Sequence, residues 1–286
     1  MIKTILFIFL SHSFIANSQN YIVRDSTSKK AIPYVAIQFP LTNSGFYSND
    51  KGCFELNKIK PDSIYISCLG YKTLKTRIKL LKNTIFLTSK DNILDEIVIS
   101  NRPNIIKKVG FKKGNTFLVD STKEPLTLGF YASLETTKND TYINDVLLSF
   151  NKKGYSKKYK YRSFIRFAIY STENRLPLKL LIEKPLLIEL NENSKKYINI
   201  NLIKNSIKLD KKGVFIIIEK IGEVDSNGKI ISKKQPLPNL KFSTKKPKEL
   251  LDYSTFIFLE GEWKDFSILN LNMNLAIEFT LANYEN

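Results

Sequence analysis

Short runs in which apolar and polar residues alternate fill most of the chain, and no segment sustains a helical period. Apolar side chains that return every second residue mark a half-buried strand. Up to Ser100 the pattern predicts strands near Tyr21–Arg24, Val35–Phe39, Gly45–Asn49, Cys53–Leu56, Ser63–Cys68, Leu74–Leu80, Thr84–Thr88 and Glu96–Ser100. The connectors carry turn chemistry: Asp25-Ser26-Thr27, Asp50-Lys51-Gly52, Lys60-Pro61-Asp62 and Asp91-Asn92. In the second of these, glycine supplies the positive φ that a branched residue resists. Strands this short, separated by turns at this spacing, build a small sandwich.

Asn101-Arg102-Pro103-Asn104 reads as a linker. Beyond it, strands are predicted at Ile106–Phe111, Thr116–Val119, Leu126–Leu134, Asp145–Phe150, Tyr161–Tyr170, Leu186–Leu190, Tyr197–Asn201, Ser206–Leu209, Val214–Ile221, Thr255–Leu259 and Leu271–Leu281. Within Ser163–Tyr170, Phe164, Arg166, Ala168 and Tyr170 share one side, and Ile165, Phe167 and Ile169 the other. Val214–Ile218 is apolar on both faces, which predicts a central buried strand. Asp225-Ser226-Asn227-Gly228 has the composition of a hairpin loop. Lys233–Lys248, rich in lysine and marked by prolines, lacks a period and is expected to be a long surface loop. The reading is all-β, with a jelly-roll-like sandwich after the linker.

Residues 1–18 have the three parts of a secretory leader: Lys3, the apolar stretch Ile5–Leu10 continuing to Phe14-Ile15, and the small-x-small site Ala16-Asn17-Ser18. Its apolar core is shorter than the ~20 residues of a bilayer span. An exported chain with residues 19–100 and 105–286 as two domains is therefore expected. Cleavage would remove His12, the one histidine of the sequence. Histidine-based nucleophile activation and histidine-ligated zinc then leave the menu, and neither cofactor nor metal is expected. The formal net charge is +18, which by itself points to an anionic partner. Nearly all of the basic residues are lysine, however, and the arginine forks that read nucleic acid are scarce. No nucleic-acid partner is expected.

Two cysteines in an exported chain raise the question of a disulfide. If Cys53–Leu56 and Ser63–Cys68 pair as a hairpin through their apolar faces, Phe54 lies opposite Ile66 and Leu56 opposite Ile64. Cys53 then faces Ser67 while Cys68 points inward. Sulfurs on opposite faces cannot bring their Cβ atoms to the ~3.5–4.5 Å a disulfide needs, so free thiols are expected.

The ordered set Val23-Arg24-Asp25, Ala31-Ile32-Pro33, Asp50-x-Gly52-x-Phe54-x-Leu56, Ile66-Ser67-x-x-Gly70-Tyr71 and Leu94-Asp95-Glu96-Ile97-Val98-Ile99 resembles the carboxypeptidase regulatory-like domain. That family is a transthyretin-like β-sandwich of exported Bacteroidetes-type proteins. Tyr21 stands where its members usually carry glycine. The resemblance implies a domain without catalytic residues, one that often precedes TonB-dependent outer-membrane receptors. The segment from Arg166 to Glu219 is similar in outline to the second sandwich that follows this domain in some such proteins, itself like carbohydrate-binding jelly rolls. Asn201 and Leu178 depart from the Asp and Gly usual there.

Two constellations carry candidate chemistry. Tyr155, Tyr159 and Tyr161 with Arg162 interleave aromatic and basic residues, a stacking platform for a glycan or an acidic partner; the same pattern also describes a solvated strand. Glu260-Gly261-Glu262-Trp263 would place two carboxylates on one face of a strand, roughly 6.5–7 Å apart at ~3.3 Å rise per residue. That spacing suits an inverting glycosidase, whereas the structural reading is a strand edge before a core tryptophan. The function expected is non-enzymatic binding or assembly in the periplasm or at the outer membrane. Its partner would be a glycan or an envelope protein such as a TonB-dependent receptor complex, with peripheral outer-membrane contact. The alternatives are a hydrolase built on Glu260 and Glu262, and a purely structural envelope component.

Overall fold

The computed structural model describes residues 20–40, 44–56, 62–90, 105–114, 116–117, 126–135, 140–151, 162–191, 193–224, 239–245, 247, 249–259 and 261–283. Among them the chain is all-β, with three short 3-10 turns and no helix long and apolar enough to cross a membrane.

The N-terminal sandwich has two sheets. One runs in the order β4 (Cys53–Glu55), β1 (Asn20–Asp25), β7 (Thr84–Leu87), and the other β3 (Ser44–Tyr47), β2 (Ala36–Phe39), β5 (Ser63–Ser67), β6 (Leu74–Arg77). Alternate residues of both meet in one core, which includes Val23, Ile37, Ile64, Ile66, Ile85 and Leu87. Tyr21 is buried there and stacks on Phe54 with ring centroids 5.1 Å apart, so an aromatic closes this end of the core. Gly52 has φ 72°, and a Cβ on it would meet the Val23 and Ile32 carbonyl oxygens within 2.8 Å.

The expected pairing of Cys53–Leu56 with Ser63–Cys68 is not what forms. Strand β4 pairs with β1, Tyr21 opposite Phe54, while β5 pairs with β2, Ile37 opposite Ile66. The two strands lie in facing sheets, and both still aim their apolar residues at the shared core. Alternation is satisfied equally well by either arrangement. The thiols are nonetheless free, Cys53 half-buried and Cys68 buried. Glu96–Ser100 and the linker lie outside the described residues.

The C-terminal β unit also has two sheets. The first, seven-stranded, runs β13 (Leu176–Leu180), β12 (Arg162–Glu173), β17 (Val214–Val224), β10 (Leu126–Ser133), β19 (Asp252–Leu259), β20 (Glu262–Asp265), with β14 (Leu186–Asn191) also on β12. The second, eight-stranded, runs β21 (Asn274–Leu275), β18 (Asn239–Ser243), β11 (Thr141–Asn151), β22 (Ile277–Asn283), β8 (Ile105–Gly110). In it, β15 (Tyr197–Asn201) and β16 (Ile207–Lys208) pair with β11, and β9 (Thr116–Phe117) with β18. The core between them takes Ile165, Phe167 and Ile169 from β12, Ile216 and Ile218 from β17, and the Phe130–Phe279 contact across the two sheets. Strand β17 is central, as its two apolar faces predict. The expected loop at Lys233–Lys248 contains β18, whose Leu240 and Phe242 are buried. Flanking lysines and prolines masked this short alternation. Asp225–Gly228 lies outside the described residues.

The outer face of the seven-stranded sheet meets the N-terminal sandwich through a buried ion pair. Arg166 on β12 lies directly opposite Glu219 on β17, and its guanidinium is bonded to the Glu219 carboxylate. The other arm of the fork, Nη2, donates to the carbonyl oxygens of Pro33 (2.8 Å) and Tyr34 (3.1 Å) in the sandwich. The Tyr47 hydroxyl donates to the Lys220 carbonyl at 3.1 Å. Tyr34 packs on Phe164 with centroids 4.7 Å apart, and Ile221 completes the small cluster.

The Pro33-Tyr34 turn puts Tyr34 at φ 52°, a conformation costly for a bulky residue. The ring contact and the two Arg166 hydrogen bonds hold it there. Gly70, at φ 88°, approaches the other unit closely: a Cβ on it would lie 2.8 Å from Pro185.

Loss of one member of a buried pair strands the other without compensation, at ~3–5 kcal/mol, whereas replacing both by apolar residues is often neutral. Arg166→Met should lower stability by about that amount in urea melts, and Arg166→Met with Glu219→Leu should recover most of it. Burial pushes the Cys68 thiol up to about 11. At pH 8 its thiolate population is then on the order of 100-fold below that of an ordinary thiol. Ellman's reagent should titrate Cys53 promptly in the native protein, and Cys68 only after denaturation.

Candidate functional site

Beyond the Arg166–Glu219 contact the two units diverge and leave a groove of about 780 Å³ between them. One wall is the outer face of the four-stranded sheet, with Gln38, Tyr65, Ser67 and Lys75, continued by Tyr71. The opposite wall is the outer face of β10, β17, β19 and β20, with Thr127, Ile217, Phe258 and Trp263.

These side chains face the groove because of strand parity. Positions that alternate with the core residues Ile37, Ile64 and Ile66 turn outward on the first wall. On the second, Phe258 lies directly opposite Trp263 in the β19–β20 hairpin, so both project from one face. Gly129 makes the close packing of that face possible. A Cβ there would lie 2.4 Å from the Phe215 ring and 2.9 Å from Trp263. Without it, Trp263 settles against Phe215 (5.0 Å, edge-on) and Phe258 (5.1 Å), half-buried, with the rest of its ring toward the groove. Phe258, Leu178 and Ile268 at the mouth remain 39%, 60% and 53% exposed.

The polar content is small and specific. Glu219 is the one carboxylate among the described lining residues, and Arg166 neutralises it. Lys75 lies with Nζ 5.0 Å over the Tyr65 ring, Lys90 stands on the same wall, and Lys264 is on the other. Burial raises the phenol of Tyr71 above its ordinary value, with Asp25 beside it adding to the shift. Burial likewise raises Tyr170, whose side chain also contacts the Gly70 backbone. Both phenols stay neutral near pH 7, and the Tyr71 hydroxyl donates its proton to Asp25. The surface therefore offers aromatic faces, phenol donors and lysines, but no pair of facing carboxylates among the described residues.

The candidates from the sequence distribute unevenly over this geometry. Tyr155, Tyr159 and Tyr161 lie outside the described residues. Arg162 opens β12 opposite Asn191 and Val224, with its side chain undescribed. The expected strand through Glu260 and Glu262 is corrected. Leu259 pairs with Glu262, and Gly261 has φ 87°, so the chain turns there and the i, i+2 geometry is lost. Glu262 begins β20 and is exposed, and Glu260 lies outside the described residues. Trp263, read as a core residue, packs against the core and also lines the groove.

The Arg166–Glu219 pair escaped sequence reasoning, although a signal was present. Arg166 stands between Ile165 and Phe167, Glu219 directly follows the apolar run Val214–Ile218, and the two charges have opposite sign.

No curated protein matches the chain. Among solved structures, the clostridial cysteine protease Cwp84 after propeptide cleavage aligns with 13% identity over 80% of this chain and 54% of its own, at a TM-score of 0.40. The chain thus spans about half the length of that protease, and a likeness this distant says nothing of activity. Residues 22–99 match the CarboxypepD_reg-like domain. The match takes in the N-terminal sandwich, with its Gly52 turn, its Gly70 exit and its core around Ile64 and Ile66, which is thus similar to a CarboxypepD_reg-like domain.

Proposed function

We propose that the protein is an exported, non-enzymatic binding protein of the bacterial envelope that holds a glycan between its two β units. The observation that carries this reading is the groove itself. Its walls present Tyr65, Tyr71 and Trp263, with Phe258 at the mouth, beside a few polar groups. That is the composition of a recognition site: aromatic area with sparse orienting donors. A sugar ring meets an aromatic face with its C–H surface and offers hydroxyls to the phenols and lysines at its edge. The leader read in residues 1–18 would deliver the protein to the periplasm or the outer membrane. There the CarboxypepD_reg-like domain would contact an envelope partner such as a TonB-dependent receptor complex.

Trp263 is the sole tryptophan of the chain, so emission excited at wavelengths that tyrosine does not absorb reports on this groove alone. A glycan array with the purified protein should identify ligands, and those ligands should shift or quench the tryptophan emission. Trp263→Ala should weaken binding by about tenfold or more, the loss of one stacking contact, with the melting transition kept in range to show a folded protein. Array ligands that leave the emission unchanged would place the site elsewhere. An empty array, with an outer-membrane receptor co-purifying instead, would replace glycan recognition by scaffolding.

A further inference from the structure

The groove is unusual in its balance of charge. Its described lining holds three lysines, Lys75, Lys90 and Lys264, against the single carboxylate Glu219, and Arg166 already cancels that carboxylate. Lys75 and Lys90 are exposed. They stand on the opposite wall from Trp263, so a ligand lying on the indole has these cations across from it. The Lys75 stem and ammonium also lie over Tyr65, which orders the side chain beside an aromatic face. The groove is thus a cationic slot with aromatic walls, and it excludes unpaired negative charge.

Resting on the binding reading above, we infer that the groove selects an acidic glycan, one whose sugars carry carboxylate groups. Sugar rings would lie against Trp263 and Phe258, while their carboxylates accept from Lys75 and Lys90. Charge-assisted bonds of this kind are roughly twice as strong as neutral ones. They are also favoured here by the overall formal charge of +18, which draws anionic chains toward the surface.

An acidic peptide fits less well. It would bind as an added strand, and the three sheet edges that line the groove, β6, β13 and β20, are only four, five and four residues long. The first carries Lys75 and Arg77, the second Pro177 and Lys179, and the third Glu262, Lys264 and Asp265. Short, charged edges are protected against strand addition.

The test compares an oligogalacturonate with the same oligosaccharide in which the carboxyl groups are methyl-esterified, titrated against the purified protein and read by Trp263 fluorescence. The acid should bind at least tenfold more tightly than the ester, and its Kd should rise with salt as surface charges are screened. Lys75→Gln and Lys90→Gln, both substitutions at exposed positions, should each weaken the acid by roughly threefold to tenfold and weaken the ester by a clearly smaller factor.

Equal affinity for acid and ester, without salt dependence, would overturn the charge inference while leaving a glycan groove in place. No fluorescence response to acid, ester or any array ligand would overturn the binding reading itself. An oligoglutamate that binds as tightly as the oligogalacturonate would also overturn the inference, because recognition would then follow charge and not the sugar.

Discussion

Desolvated charge is the constraint around which the two halves of this molecule are arranged. Arg166 and Glu219 occupy the middle of two adjacent strands, where water has been excluded from both. A guanidinium in such a place needs acceptors for all of its donors, and one carboxylate cannot supply them. The missing acceptors are the Pro33 and Tyr34 carbonyl oxygens, which belong to the other unit. Docking of the N-terminal sandwich is thus part of the solvation of Arg166. The relative placement of the units follows from satisfying one side chain, with the Tyr34–Phe164 contact and the Gly70–Pro185 approach adding surface around it.

The groove is a consequence of that anchoring. Two outward sheet faces held together around one anchor and twisted as sheets must be do not remain in contact along their length, so they separate away from it. What lines the gap is then set by strand parity: whatever alternates with the core residues faces the opening. In a solvated strand those positions would be polar. Here they include Ile217, Tyr65, Phe258 and Trp263, too apolar for an open surface and too few to close the gap. Surfaces of that intermediate character are typical of binding sites.

Much of the architecture is legible in the sequence, because it rests on period-two alternation and on turn glycines. Strands β1 to β5 and β7 fall within two residues of their predicted positions, β6 stops three residues early at a 3-10 turn, the central β17 runs three residues longer than predicted, and the two faces of β12 separate as its alternation requires. Pairing partners are less legible. Phe54 and Ile66 point into the same core whether their strands form a hairpin or lie in opposite sheets, so the pattern cannot distinguish the two. Strand β18 was hidden because two buried residues, Leu240 and Phe242, are too few to stand out among lysines and prolines. The groove was hidden for a further reason. Trp263, Tyr65 and Lys75 are far apart in the chain, and only the docking of one unit on the other brings them together.

The left-handed backbone at Tyr34 ties the two units in a way that ordinary surface contact does not. Detached from its neighbour, the sandwich would lose the guanidinium that grips this corner and would have every reason to relax it into a more comfortable shape. The corner is therefore a keyed part, cut for one particular lock. A regulatory-like domain borrowed from a different protein would bring the same framework but not this fitting, so modules of this type should be poor substitutes for one another even where their cores are interchangeable.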